Sequence, residues 1–313
     1  MIRTKFMRIS NKITCVFFIG LLFFAFAGCD HSTSSSSRSN SEEDSKIYIG
    51  TKKPSQAKSV GDIVFNDGSA MPYAEFTALT DEAKNTKKAA AIALIFYKGT
   101  GLNSDTLDEN YNITASDNST VRTLGVGLKH NKSGCAWCLD SADAYQKKIT
   151  TIQCPVFGRI AHYTFKGDKD GSDNLEQIEA FDGVSDTTGN GAADRYPAFY
   201  FAKNYKEQKI GSETESRISA GSEYASGWYL PSHAELFFIY ANGIGEDKLF
   251  DINAASEALG GDNFDAPSTS YRSSSQDTSF NKVATNFFFY DGTISNQIHK
   301  AANFSYVCAI REF

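Results

Sequence analysis

Proline is scarce in this chain, 6 in 313 residues. With 41% hydrophobic and 22% charged residues, the composition excludes a disordered or fibrous chain and suits one large domain or two small ones. Several chemical signatures are missing too. His130, His162, His233 and His299 show no HExxH or other paired metal spacing, so there is no zinc-hydrolase signal. No GxSxG occurs, and Gly99-Thr100-Gly101 and Gly125-Val126-Gly127 are too short to cradle a phosphate and precede no P-loop lysine. Positive charge is short as well: the net charge is −6, and it becomes −10 without Arg3, Lys5, Arg8 and Lys12 of the N-terminal segment. Electrostatic attachment to nucleic acid or to anionic lipid headgroups is therefore disfavoured. A membrane span needs about 20 apolar residues, and the run Ile13 to Ala27 has 15.

What is present begins with an address. Residues 1–28 have a basic start and a short apolar run, the form of a secretory signal. The segment ends Phe26-Ala27-Gly28-Cys29, small residues directly before a cysteine, as a lipoprotein signal peptidase requires, although Phe26 stands where leucine is usual. Cys29 is thus the expected lipidation site, with the alternative of an ordinary cleaved signal and a spare thiol. From Asp30 to Lys46 there is no apolar side chain, and eight of these residues are serine, so nothing repays the entropy of ordering. Residues 29–58 read as a flexible tether with a root-mean-square reach of about 30 Å and a stretched limit near ~100 Å. The partner expected at this end is a membrane, held through the lipid anchor, which places the chain in the cell envelope, on an outer-membrane surface or a periplasmic face.

Residues 59–313 read as the folded domain. Aromatics make up 13%, and rings pack well on a pleated surface. Val60 to Phe65 followed by Asn66-Asp67-Gly68-Ser69 predicts a strand entering a hairpin turn. Thr80 suits the cap of a helix from Asp81 to Lys88, and Ala89 to Tyr97 (AAAIALIFY) is the best buried strand. Thr123 to Leu128 is strand-like, and Asp140 to Lys148 is polar and helical in pattern. Ser232 and Glu235 form a capping box for a helix from His233 to about Asn242, closed by Gly243. A helix from Asp251 to Leu259, a strand from Ala284 to Tyr290, an Asp291-Gly292 turn and a strand from Phe304 to Arg311 complete an α+β pattern of short antiparallel strands with few helices.

The segments GDIVFNDGS (61–69), GWYLPSHAEL (227–236), Tyr271-Arg272-Ser273-Ser274-Ser275 and VCAIREF (307–313) resemble bacterial lipoproteins of the C-type-lectin-like superfamily. The nearest group includes the Legionella collagen-like protein C-terminal domain and the fibrobacter major paralogous domain; Arg272 departs from it, standing where that group usually has tryptophan. The resemblance implies a C-type-lectin-like fold in which the first and last strands pair, with a long irregular loop region above the sheet. It implies no single activity, because the superfamily serves lectins, adhesins and a formylglycine-generating oxidase.

The candidate chemistry is thin. Cys135, Cys138, Cys154 and Cys308 are an even set in an exported chain, so disulfides are expected, with buried thiols as the alternative. Cys135-Ala136-Trp137-Cys138 has redox spacing but loop-like flanks. Asp168, Asp170 and Asp173 alternate as in a calcium loop, yet Gly171 is misplaced for an EF-hand; the plainer reading is a polar turn in which Asp173, with Glu176, caps the next segment. No other cofactor is implied. Tyr271, Ser273 and Ser274 are candidate ligand contacts, and so is Trp228, which could stack on a sugar but more simply belongs to the core. The expected function is a non-catalytic binding or adhesion module, displayed by its lipid, that recognises a glycan or a surface or matrix protein. The alternatives are an oxidase holding copper through Cys308 and another thiol, and a purely structural envelope lipoprotein.

Overall fold

The computed structural model describes residues 46–104, 119–160, 162–188, 194–264 and 267–313. The signal segment, Cys29 and the serine-rich stretch to residue 45 lie outside them. The folded unit runs from Ile47 to Phe313, so it begins earlier than the sequence suggests. The reason is local. The Ile49 amide donates to Asp67 Oδ2 at 2.9 Å, Lys52 Nζ meets Asp62 at 2.5 Å, and Lys52 bridges to Ala70 as an extra rung of sheet.

The first hairpin joins β1 (Asp62–Phe65) to β2 (Ala70–Pro72). Its turn closes through the Phe65 amide and the Ser69 carbonyl at 2.9 Å, and Gly68 takes φ +82°, a conformation that disfavours any side chain. Helix α1 (Tyr73–Thr77) follows, then α2 (Asp81–Lys88), where the Thr80 hydroxyl accepts from the Ala83 amide as expected. β3 (Ala91–Gly99) and β4 (Arg122–Gly127) extend the sheet. Next come the small hairpin β5 (Val156–Arg159) and β6 (His162–Phe165), and helices α3 (Asn174–Glu179) and α4 (Pro197–Lys203). β7 (Trp228–Tyr229) leads into α5 (His233–Gly243) and α6 (Ile252–Ala258), before β8 (Tyr271–Gln276), β9 (Ala284–Phe288), β10 (Thr293–Ser295) and β11 (Ile310–Glu312). The described residues thus form a mixed α and β structure with six helices and short antiparallel strands in open sheets. None of these helices is long and apolar enough to cross a membrane.

The main sheet has six strands in the order β2-β1-β3-β4-β11-β7. The first and last strands share it but do not pair, contrary to expectation: β11 lies between β4 and β7, with β4 and β3 separating it from β1. Apolar periodicity marks which residues face a core, and it carries no information about strand order. Both faces of the sheet are covered. On one side Leu94 and Phe96 pack with Leu236, Phe237 and Ile239 of α5; on the other Ile92 and Ile95 pack with Trp137, Tyr205 and Trp228. Double coverage explains why Ala91 to Tyr97 is buried without a break, each large apolar side chain contributing about 1.5–3 kcal/mol. Asp140 to Lys148 forms turns rather than a helix, tied across the chain by the Leu139 amide to Arg195 and by Lys300 Nζ to the carbonyls of Ala144 and Lys147.

Candidate functional site

The segment Gly227-Trp228-Tyr229-Leu230-Pro231 brings the chain from the edge of the main sheet into α5. Gly227 has φ +80°, and Pro231 ends the strand before Ser232 caps the helix. The capping box is present in both directions: Ser232 Oγ accepts from the Glu235 amide at 3.2 Å, and Glu235 Oε2 accepts from the Ser232 amide at 2.7 Å. Glu235 also reaches beyond its helix. Its Oε2 takes the Gly171 amide at 3.1 Å, and its Oε1 takes the Tyr229 hydroxyl at 2.8 Å.

Arg122, at the start of β4 and 3% exposed, completes this network. It donates to the Leu102 carbonyl at 3.0 Å and to the Tyr229 oxygen at 2.8 Å. It meets Asp170 at 2.9 Å, Glu235 at 3.3 Å and Glu312 at 3.5 Å. Desolvation pushes the Glu235 carboxyl up to about 7, while Arg122 pulls it down. The donors converging on it (two amides, a hydroxyl and a guanidinium) match the ionised form, and the same carboxylates hold Arg122 firmly charged.

This buried network stiffens the back of a half-open cleft of about 450 Å³. Six consecutive residues, Ala225 to Leu230, form one wall; Gly171, Ser172, Leu175 and Glu176, and the end of α4 with Lys203 and Lys206, form the others. Leu175, Phe199 and Trp228 give it apolar ground, and Glu312 stands at its margin. No histidine or cysteine lines it among the described residues. Its walls offer a backbone surface, an apolar patch and charged side chains of both signs.

A second cavity of about 400 Å³ lies at the start of α5 under the β5–β6 hairpin, with Cys154, His233, Phe157, Tyr163 and Thr285 in its walls. His233 is fully buried, and neither ring nitrogen has a hydrogen-bond partner among the described residues. Burial holds its pKa down to about 4, against the opposite pull of the Cys154 backbone. Cys154 is buried as well, and desolvation lifts its thiol well above the usual range. A neutral imidazole beside a protonated thiol is not an activated nucleophile at neutral pH.

The residues singled out from sequence fall elsewhere. Tyr271, Ser273 and Ser274 are fully buried and Trp228 nearly so, which removes them from direct ligand contact except where Trp228 borders the cleft. The serines are satisfied internally: Ser273 Oγ donates to the Thr285 carbonyl at 2.7 Å, and Ser274 Oγ accepts from Asn174 at 2.7 Å. Arg272, in place of a ring, donates to Asn286 at 3.1 Å and to the Ala302 carbonyl at 2.7 Å. Cys135, Cys138, Cys154 and Cys308 are free, buried thiols, so no pair among them is bridged here. Burial pushes Cys135 up to about 11 and Cys138 up to about 12. The acidic loop does not converge on one point. Asp168 accepts from Ser104 at 2.8 Å, Asp170 faces Arg122, and Asp173 bonds Gln177 at 2.8 Å instead of capping α3. Among the described residues no group of three or more His, Cys, Asp or Glu is placed to hold a metal ion.

Sequence reasoning passed over Arg122, Lys203 and Lys206, and read Glu176 only beside the acidic loop, as part of a helix cap. The one available signal was an arginine opening the otherwise apolar and small-residue strand RTLGVG. Comparison with protein-family models, with curated proteins and with solved structures finds no match to this chain.

Proposed function

We propose that this chain is an exported lipoprotein, acylated on Cys29, whose folded unit is a non-catalytic binding module of C-type-lectin-like type acting through the cleft beside β7. The observation that carries the reading is the cleft itself: a concave surface with a backbone wall, apolar ground and unspent charges, braced by the Arg122–Glu235 network and with no histidine or cysteine among its described lining residues. The address residues Phe26 to Cys29 and the serine-rich stretch behind them support display at a membrane. The shared sheet of β1 and β11 supports the lectin-like assignment, though their separation by β3 and β4 departs from it. The oxidase reading has less support, because Cys308 is fully buried in the sheet core and desolvation keeps its thiol protonated.

The test is an array of glycans and matrix proteins probed with the full chain and with Ser226→Trp, which plugs the cleft from an exposed wall position. Binding that the substitution abolishes supports the assignment. Binding that survives it moves the site elsewhere, and turnover of a bound compound would overturn the non-catalytic reading.

A further inference from the structure

The main sheet ends at β7, and the ladder shows which backbone groups that edge presents. On β11 the Ala309 carbonyl accepts from Gly127 and the Phe313 amide donates to Thr123, so odd-numbered residues of β11 face β4. In an antiparallel ladder, alternate residues direct both N–H and C=O to the same neighbour. Ile310 therefore faces β7, and its partner there is Tyr229. Trp228 is left with its N–H and C=O on the open side, where residues 225–230 line the cleft. Two residues further on, Leu230 is shielded, since Gly171 lies against its carbonyl. The exposed Gly227 carries no side chain to obstruct an incoming strand.

The charges around this edge are unequal. Lys203 and Lys206 make no ion pair among the described residues, nor does Glu176, whereas Glu312 already meets Arg122 at 3.5 Å. Two unspent cations face one unspent carboxylate, which favours an acidic occupant. A cavity of about 450 Å³ has room for about three or four peptide residues.

Resting on the binding-module reading, we propose that the ligand is an extended acidic peptide segment of a partner protein, which adds as a strand to β7 by pairing with the Trp228 backbone and sets a carboxylate between Lys203 and Lys206. Main-chain bonds supply the anchor in such strand addition, and pockets for alternate side chains supply the choice of sequence. A peptide N–H opposite the Trp228 carbonyl becomes indispensable, while those of its immediate neighbours point away.

The test uses the full chain and a bead library of random octapeptides, followed by the best binder methylated at each backbone nitrogen in turn. Acidic sequences should be enriched, and Lys203→Glu/Lys206→Glu should weaken them by ~10-fold or more, the equivalent of one charge-assisted hydrogen bond. Methylation should cost a similar factor at one position and little at the two beside it. Binders indifferent to every methylation overturn strand addition, as does sedimentation showing that the chain pairs with a second copy through this edge. If no octapeptide binds, yet a glycan or folded protein binds and Ser226→Trp abolishes it, the peptide inference falls while the binding module stands. Absence of all three kinds of binding overturns both.

Discussion

Replacing His233 with phenylalanine should change how stability responds to acid. The imidazole is fully buried, its two nitrogens have no partner among the described residues, and its pKa is held down to about 4 against an ordinary 6.5. The unfolded chain therefore binds a proton between pH 6.5 and 4 that the native protein does not, and stability drains away as pH falls through that window. At 1.36 kcal/mol per unit, the loss attributable to this group is about 3 kcal/mol. His130, also depressed by burial, adds to the acid loss, whereas Glu235, raised to about 7, acts in the opposite direction between pH 7 and its ordinary 4.5. The wild-type profile mixes these with the raised Asp168 and Asp173 and the lowered Asp251 and Asp262, and the difference between wild type and variant isolates the part due to His233. Phenylalanine suits the site because the ring already packs edge-on to Phe165 at 5.4 Å, and the bond from the residue 233 amide to Ser275 is unaffected. Urea unfolding of the full chain, followed by circular dichroism at pH 7 and pH 4, reads the result. His233→Phe should lose about 3 kcal/mol less than wild type between the two pH values. A difference that does not move with pH would refute the reasoning, since the native imidazole would then be taking up its proton normally.

Arg122→Met removes the cation facing Asp170 and Glu235 and should cost about 3–5 kcal/mol in denaturant unfolding, with part recovered in the double variant carrying Glu235→Gln. Ser232→Ala strips the cap from α5 and the bond to the Lys169 carbonyl at 2.7 Å; a melting experiment should show a loss of about 1–2 kcal/mol. Ending the chain at Ala309 removes β11, paired on both sides, and should abolish cooperative unfolding in calorimetry; a stable truncated form would contradict the observed strand order. Cys29→Ala should leave a full-length precursor without incorporated palmitate, and continued labelling would defeat the lipidation proposal.

Local structure was legible where the code is local. The Ser232–Glu235 box, the Thr80 cap, the turn at Asp67-Gly68 and the unbroken apolar β3 all follow from residues within a few positions of one another. The candidate site was not, because its bonds join Arg122 to Tyr229 and Glu312 across 107 and 190 positions. Polarity also misled. Tyr271 to Ser275 suggests a surface, but Ser273, Ser274 and Ser275 each find a partner in β9, α3 or the start of α5, so their burial carries little penalty. The acidic loop failed for a related reason: alternate carboxylates resemble a chelator only if the backbone turns them inward, and here Arg122, Ser104 and Gln177 draw them apart.

The position of β11 has a consequence for the order in which the molecule can assemble. β7 joins the main sheet only through residues 310–312, so during synthesis the rim carrying Trp228 stays detached until almost the whole unit has emerged. The strands β2-β1-β3-β4 can pair with one another earlier, and only the β11–β7 rim waits for the last residues. Closing that rim joins residues about 80 positions apart, the kind of non-local pairing that folds slowly.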